Sequence, residues 1–374
     1  MSRSSLSRRT YLKSAGVAGI AGFAGCSGSR SGADDGGTAG DTNKKEYSMT
    51  FATPYSLKSE EYVPIMQKAF KENVVSETDG RVTVDLAPGG ELGVGSALAQ
   101  KVQQGAIEAA LFSLSNWSPF VPAVDLVNLP YFAGSNQAFV NLVRSEVWEE
   151  EVVSTVREKG YEPAYYVVVA PRAFATGPNV TEAPTTPAQV EEQGIKHRVP
   201  GSDILQKAWK MAGANPSPVD WGETPSALRQ GVVDTVHVSP QFLAAFGFET
   251  LLNHLILVGA VEDAQTITMS RDWYTSLPST LQDAVDRAAE KTQQQNFERI
   301  PQTRKNTYET FRDNGAEFVE LSEAKETKWK QAMGYQRDAW HEKKKKLAGD
   351  MEAFEKFEQA VRTEADVTVP DGEL

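Results

Sequence analysis

Arg198, Trp221, His237 and Ser239 lie on short segments that fold next to one another, and their types suit ligand binding rather than turnover. A guanidinium is planar, stays charged at any relevant pH and offers paired donors that match a carboxylate. An indole adds a flat wall, and an imidazole adds a donor or an acceptor. A second group, Ser115, Asn116 and Trp117, sits in the loop 113–122 and can supply hydrogen bonds and a further aromatic wall to a cleft. A packed loop is the competing reading of the same residues.

The elements around Arg198 explain why these residues should converge. Ile195 to Val199 is β-branched, short and stopped by Pro200, which predicts a strand. Ser202 is a good N-cap for a helix whose inner face is Ile204, Leu205, Ala208, Trp209 and Ala212, ended by Gly213. A strand at 217–219 follows, then a helix with Thr224 as N-cap, Pro225 at the first position and Gly231 as C-cap. Val232 to Val238 is the next strand. Strand–helix alternation on this scale predicts a parallel sheet with right-handed crossovers, and such sheets bind ligands beyond the carboxyl ends of their strands. Arg198, Trp221 and the segment 236–239 all fall there.

The rest of the chain repeats the alternation. Strands are expected at 47–53, 81–87, 107–112 and 165–170, with helices at 59–77, 94–104 and two within 136–159. Strands at 254–258 and 265–269 precede a long helix, for which Ser279 to Gln282 reads as a capping box and Pro301 as a kink. A strand at 317–319 and amphipathic helix over 323–363 complete the chain, and Lys343 to Lys346 reads as a solvated helix face. Arg172 follows the strand at 165–170, where an isolated arginine on composition alone is a surface or structural ion pair.

The 374 residues give room for two domains and a large core. At the amino end, Ser7-Arg8-Arg9-Thr10-Tyr11-Leu12-Lys13 precedes a weakly apolar run, the pattern of a twin-arginine export signal with Arg8 and Arg9 at its centre. Cys26, the only cysteine, follows Phe23-Ala24-Gly25 in a pattern that resembles a lipobox, which implies a lipid anchor. The polar stretch behind it is a tether. Loss of the four basic signal residues takes the net charge from −12 to −16. That acidity argues against a nucleic-acid partner. No phosphate loop, H-E-x-x-H or G-x-S-x-G is present, and the four histidines have no ligand spacing, so neither catalysis, a cofactor nor a metal is expected.

Several segments together resemble the solute-binding proteins of TRAP transporters, the DctP type. These are Lys196-His197-Arg198-Val199-Pro200, Gly213-Ala214-Asn215-Pro216-Ser217-Pro218, Leu228-Arg229-Gln230-Gly231-Val232-Val233-Asp234, Gly80-Arg81-Val82-Thr83-Val84, Gly89-Gly90-Glu91-Leu92-Gly93 and Asn128-Leu129-Pro130-Tyr131-Phe132. The resemblance covers roughly 47–318. It implies an α/β, two-lobed periplasmic-binding-protein-like fold with a central cleft and a long connecting helix. It makes Arg198 the carboxylate clamp and Arg172 a second cleft arginine, with Trp221, Asn116, Trp117 and His237 shaping the rest. Val236 and His237 replace the family's metal-linked pattern at that place, so no metal is carried over. The implied function is extracytoplasmic capture of a small organic acid for a membrane permease. A binding lipoprotein of an ATP-driven importer and an exported hydrolase are the alternatives. The expected organisation is a signal at 1–25, a tether at 26–46, a first lobe from 47–169 and 265–304, a second from 170–264 and 305–364, and a tail at 365–374.

Overall fold

The computed structural model describes residues 46–57 and 62–370; Arg8, Arg9, Cys26 and the tether lie outside the described residues. In chain order the first strands are β1 (Tyr47–Ala52), β2 (Val82–Ala87), β3 (Ala109–Ser113) and β4 (Tyr161–Val167). Then come β5 (Ala173–Thr176), β6 (Lys196–Val199), β7 (Asn215–Pro218), β8 (Thr235–Val238) and β9 (His254–Ile256), and last β10 (Gln265–Ser270) and β11 (Glu317–Val319). They form two sheets, ordered β2-β1-β3-β10-β4 and β11-β9-β5-β8-β6-β7. The expected parallel unit is present, with β6 parallel to both β7 and β8. The whole sheet is mixed, because β5 runs antiparallel to β8 and β9.

The chain passes between the sheets twice in extended form, after β4 and after β9. The two crossings pair: Pro171 bridges Glu262, and Arg172 N donates to Val261 O at 2.8 Å. A third link is the helix Ser279–Asp313, whose 35 residues at 1.5 Å each span about 52 Å. Its Asn296 amide holds Val168 beside β4, and its Tyr308 ring lies 4.1 Å from Phe318 on β11. Pro301 lies inside this helix without ending it.

Local signals act mostly as expected near Arg198. Ser202 caps its helix by accepting from Leu205 N. Gly231, at φ 66°, ends the helix Thr224–Arg229 in the left-handed region, and a Cβ there would stand 2.8 Å from Asn179 Nδ2. Two expected caps are corrected. Thr224 is the first helical residue, its hydroxyl donating back to Asp220 O, and Ser279 caps nothing because Pro278 holds that place.

The second-lobe assignment of 305–364 also needs correction at its end. The helix Glu323–Met333 packs on the second-lobe helix Asp203–Met211, but the chain then returns to the first lobe. Tyr335 N donates to Pro130 O, Asn141 Nδ2 to Val361 O and Asn136 Nδ2 to Pro370 O, at 2.9, 3.1 and 3.0 Å. The lysine run is not uniformly solvated either. Lys344 lies over the Phe354 ring at 4.8 Å, and Lys343 reaches Asp203 at 3.5 Å.

Candidate functional site

Strand parity decides what Arg198 faces. In the β6–β8 register Arg198 pairs with Val236, and His197 pairs with Thr235. Successive side chains leave a strand on opposite faces, so Arg198 and Val236 share one face while His197, Thr235 and His237 share the other. Arg198 donates through Nε to Val219 O at 2.9 Å, and its guanidinium carbon stands 5.5 Å from the Trp221 ring centre. It is only 7% exposed. Burial, then the neighbouring charge of Arg172, brings its pKa down to about 10, with Asp220 and Asp263 opposing. It remains a cation at neutral pH. Among the described residues its terminal nitrogens meet no protein acceptor.

Arg172 sits at the paired crossing. Its Nε donates to Asp263 Oδ1 at 3.2 Å, and the other oxygen of Asp263 accepts from Ser239 N at 2.8 Å. One buried carboxylate therefore joins the first crossing, the second crossing and the end of β8. Beside it runs a chain of aromatic rings. Trp221 lies 4.9 Å from Phe246 and 5.3 Å from Phe248, while Tyr55 of the first lobe stacks on Phe242 at 5.4 Å. Burial, then the Asp263 charge, holds the Tyr55 hydroxyl well above its ordinary pKa. The lobes approach each other here too, since a Cβ on Gly222 would meet Val94 Cγ2 at 3.7 Å.

Polar groups in this region that lack side-chain partners among the described residues include Gln241 and Trp221. Gln241, 1% exposed, satisfies neither its amide oxygen nor its amide nitrogen, and Trp221 Nε1 has no acceptor. Unmet buried donors and acceptors are uncommon because each costs about 1–3 kcal/mol.

The structure thus gathers Arg198, Arg172 and Trp221. Asn116 is tied close by: its Nδ2 holds Ser113 O at 2.8 Å, and Leu114 N donates to Ala264 O, the residue after Asp263. Two further expected contacts have core neighbours. Trp117 is fully buried among Phe112 and Tyr161, with ring centres 5.9 and 5.7 Å away, and builds the first-lobe core. His237 packs edge-on to Trp209 at 5.0 Å, on the sheet face opposite Arg198. His197 lies against the same indole at 3.9 Å. Burial pushes both imidazoles well below their usual pKa, which keeps them neutral; His197 Nδ1 pairs with the Thr235 hydroxyl at 2.8 Å, and the Arg172 charge acts on His237 in the same direction as burial. Asp263, Tyr55 and Gln241 carry no local signal that would have singled them out. Two cavities elsewhere, of about 270 and 610 Å³, include neither arginine and are not this site.

Residues 53–344 match the profile of the bacterial extracellular solute-binding proteins, family 7 (DctP). A solute-binding protein of Roseobacter denitrificans is 25% identical over 60% of this chain and 67% of its own length. The C4-dicarboxylate-binding periplasmic protein of Rhodobacter capsulatus is 22% identical over 71% of this chain and 78% of its own. Among solved structures, a TRAP periplasmic solute-binding protein from Roseobacter denitrificans with bound β-D-glucuronate superposes with a TM-score of 0.73. It is 21% identical and covers 85% of this chain and 100% of its own. The sugar acid binding protein of Advenella mimigardefordensis, in complex with galactonate, gives 0.76 at 18% identity, over 85% and 98%. The two sheets, the paired crossings, the connecting helix and a match over residues 53–344 lead to one assignment: the chain belongs to family 7 of the bacterial extracellular solute-binding proteins.

Proposed function

We propose that the protein captures a sugar acid or a similar hydroxylated organic carboxylate between its lobes and delivers it to a TRAP permease. The observation that carries this reading is Arg198: a buried guanidinium at the end of a parallel strand, pinned by Nε and stacked on Trp221, with its fork unused by the protein. A carboxylate in a closing cleft loses its water and needs donors fixed in a plane, which this fork provides. Arg172 assists with its remaining nitrogens, Trp221 covers the apolar face of the ligand, and Asn116 and Gln241 read hydroxyl groups. The sugar acids held by the structural relatives are of this class. Calorimetric titration with D-galactonate, D-glucuronate and D-erythronate, against galactose as a neutral control, tests it. One or more acids should bind and galactose should not. Binding of galactose alone would overturn the carboxylate reading.

The same reading places the protein on the outer face of the cell membrane, exported through Arg8 and Arg9 and anchored through lipid on Cys26. Cys26→Ser should then release folded protein into the medium, and Arg8→Lys with Arg9→Lys should retain precursor inside the cell. Fractionation and immunoblotting follow both. A serine variant that stays with the membrane would remove the anchor from the proposal.

A further inference from the structure

Away from the arginines, a second set of contacts joins the lobes. The second-lobe helix Asp203–Met211 starts just after Arg198, beyond the end of β6. The C-terminal helix His341–Ala348 follows the short turn Asp338–Trp340 and packs on the first-lobe segment Pro122–Asn128. Two lysines fasten these helices in opposite directions. Lys207, from the second lobe, donates through Nζ to Ala339 O and stands 5.0 Å from the ring centre of the fully buried Trp340. Lys343, from the C-terminal helix, lies 3.5 Å from Asp203. Asp125 of the first lobe belongs to the same cluster. It is buried, and its Oδ1 accepts from Ser118 Oγ at 2.7 Å and from Asn128 Nδ2 at 2.8 Å. Burial raises its pKa against those two hydrogen bonds; Asp203 adds to the rise and Lys343 opposes it. Lys343 therefore stands against an acid from each lobe. Like charges that meet as lobes close work against closure unless a counter-ion comes with them.

We propose that Lys207 and Lys343 form a latch on the rim of the cleft, which sets the balance between open and closed lobes and so tunes ligand affinity from outside the binding site. Exposed ion pairs are individually weak, so two such contacts bias hinge closure and do not lock it. A ligand held in the cleft leaves when the lobes part, and a weaker latch should therefore act mainly on the dissociation rate. Only the affinity readout rests on the capture reading above; the latch itself concerns the two lobes.

The test titrates D-galactonate, D-glucuronate and D-erythronate calorimetrically into wild-type protein and into the double variant Lys207→Met with Lys343→Met. Lys345→Met with Lys346→Met removes the same charge from exposed positions without protein partners among the described residues, and controls for the general attraction of an anion. The latch variant should bind whichever acid the wild type binds roughly three- to tenfold more weakly than the control does. Asp203→Asn added to Lys343→Met alone should bring affinity back to within about twofold of wild type, because it removes the carboxylate that Lys343 balanced. Equal affinity of latch variant and control would overturn the inference while leaving the carboxylate reading intact. A loss in Lys343→Met that Asp203→Asn leaves in place would do the same. Should none of the three acids bind the wild type, the proposed ligand class fails, and small-angle scattering of the unliganded proteins decides the latch by itself. A larger radius of gyration in the latch variant than in the wild type would support it, and an equal one would overturn it.

Discussion

Arg198→Ala should weaken binding of the cognate acid by about thirty-fold to a few thousand-fold and leave the fold intact. Truncating one member of a buried, hydrogen-bonded charge pair costs about 2–5 kcal/mol, and each 1.4 kcal/mol is roughly a decade in affinity. The fold should survive because Arg198 gives the unliganded protein little beyond one hydrogen bond to Val219 O and contact with Trp221. Burial and the charge of Arg172 both oppose the cationic form of Arg198, as its lowered pKa records. The unliganded alanine variant should accordingly melt at the wild-type temperature or somewhat above it. Arg198→Lys should also bind poorly, since an ammonium keeps the charge and loses the planar fork. Circular dichroism, thermal melting and calorimetry with a bound acid decide the matter together. Near-native affinity in the alanine variant would make Arg198 a structural residue, and a large loss of melting temperature would say the same.

The neighbourhood of Arg198 was legible because its instructions are local. Pro200, Ser202, Gly213 and Gly231 each end or begin an element within a few residues of the position they control. The roles of His237 and Trp117 were not legible in that way. Whether His237 faces the cleft or Trp209 depends on a register with β6, and a one-residue difference in parity reverses the answer. Trp117 sits in a polar-looking loop, yet the aromatic rings that bury it include Tyr161, which arrives on a later strand. Asp263 was hidden most fully, because its arginine lies 91 residues away and nothing around Val261-Glu262-Asp263-Ala264 marks a buried acid. The return of the C-terminal helices to the first lobe rests on side-chain amides such as Asn136 and Asn141, which composition alone does not distinguish from surface polar residues.

Asn296→Ala should lower the stability of the whole protein by about 2–6 kcal/mol, through the two lost hydrogen bonds to the Val168 backbone, which each cost about 1–3 kcal/mol when buried groups forfeit them. The Asn296 side chain is fully buried, and its amide treats Val168 as a neighbouring strand would. Oδ1 accepts from Val168 N at 2.9 Å, and Nδ2 donates to Val168 O at 2.7 Å. Gln293, one helical turn earlier, accepts from Tyr166 N at 3.1 Å and donates to Asn296 Oδ1 at the same distance. The long helix thus continues the hydrogen bonding of β4 at the point where the chain leaves the first sheet for Arg172. Alanine removes both halves of that bracket. Asn296→Asp should also destabilise, because it keeps the acceptor, loses the donor and buries a charge. Denaturant titration of unliganded protein measures the loss, and a change under about 0.5 kcal/mol would be inconsistent with the bracket. Ligand affinity provides the contrast with Arg198. Asn296 reaches the cleft through the position of the crossing and not by contact with the arginines, so folded Asn296→Ala protein should lose far less affinity than Arg198→Ala while losing far more stability.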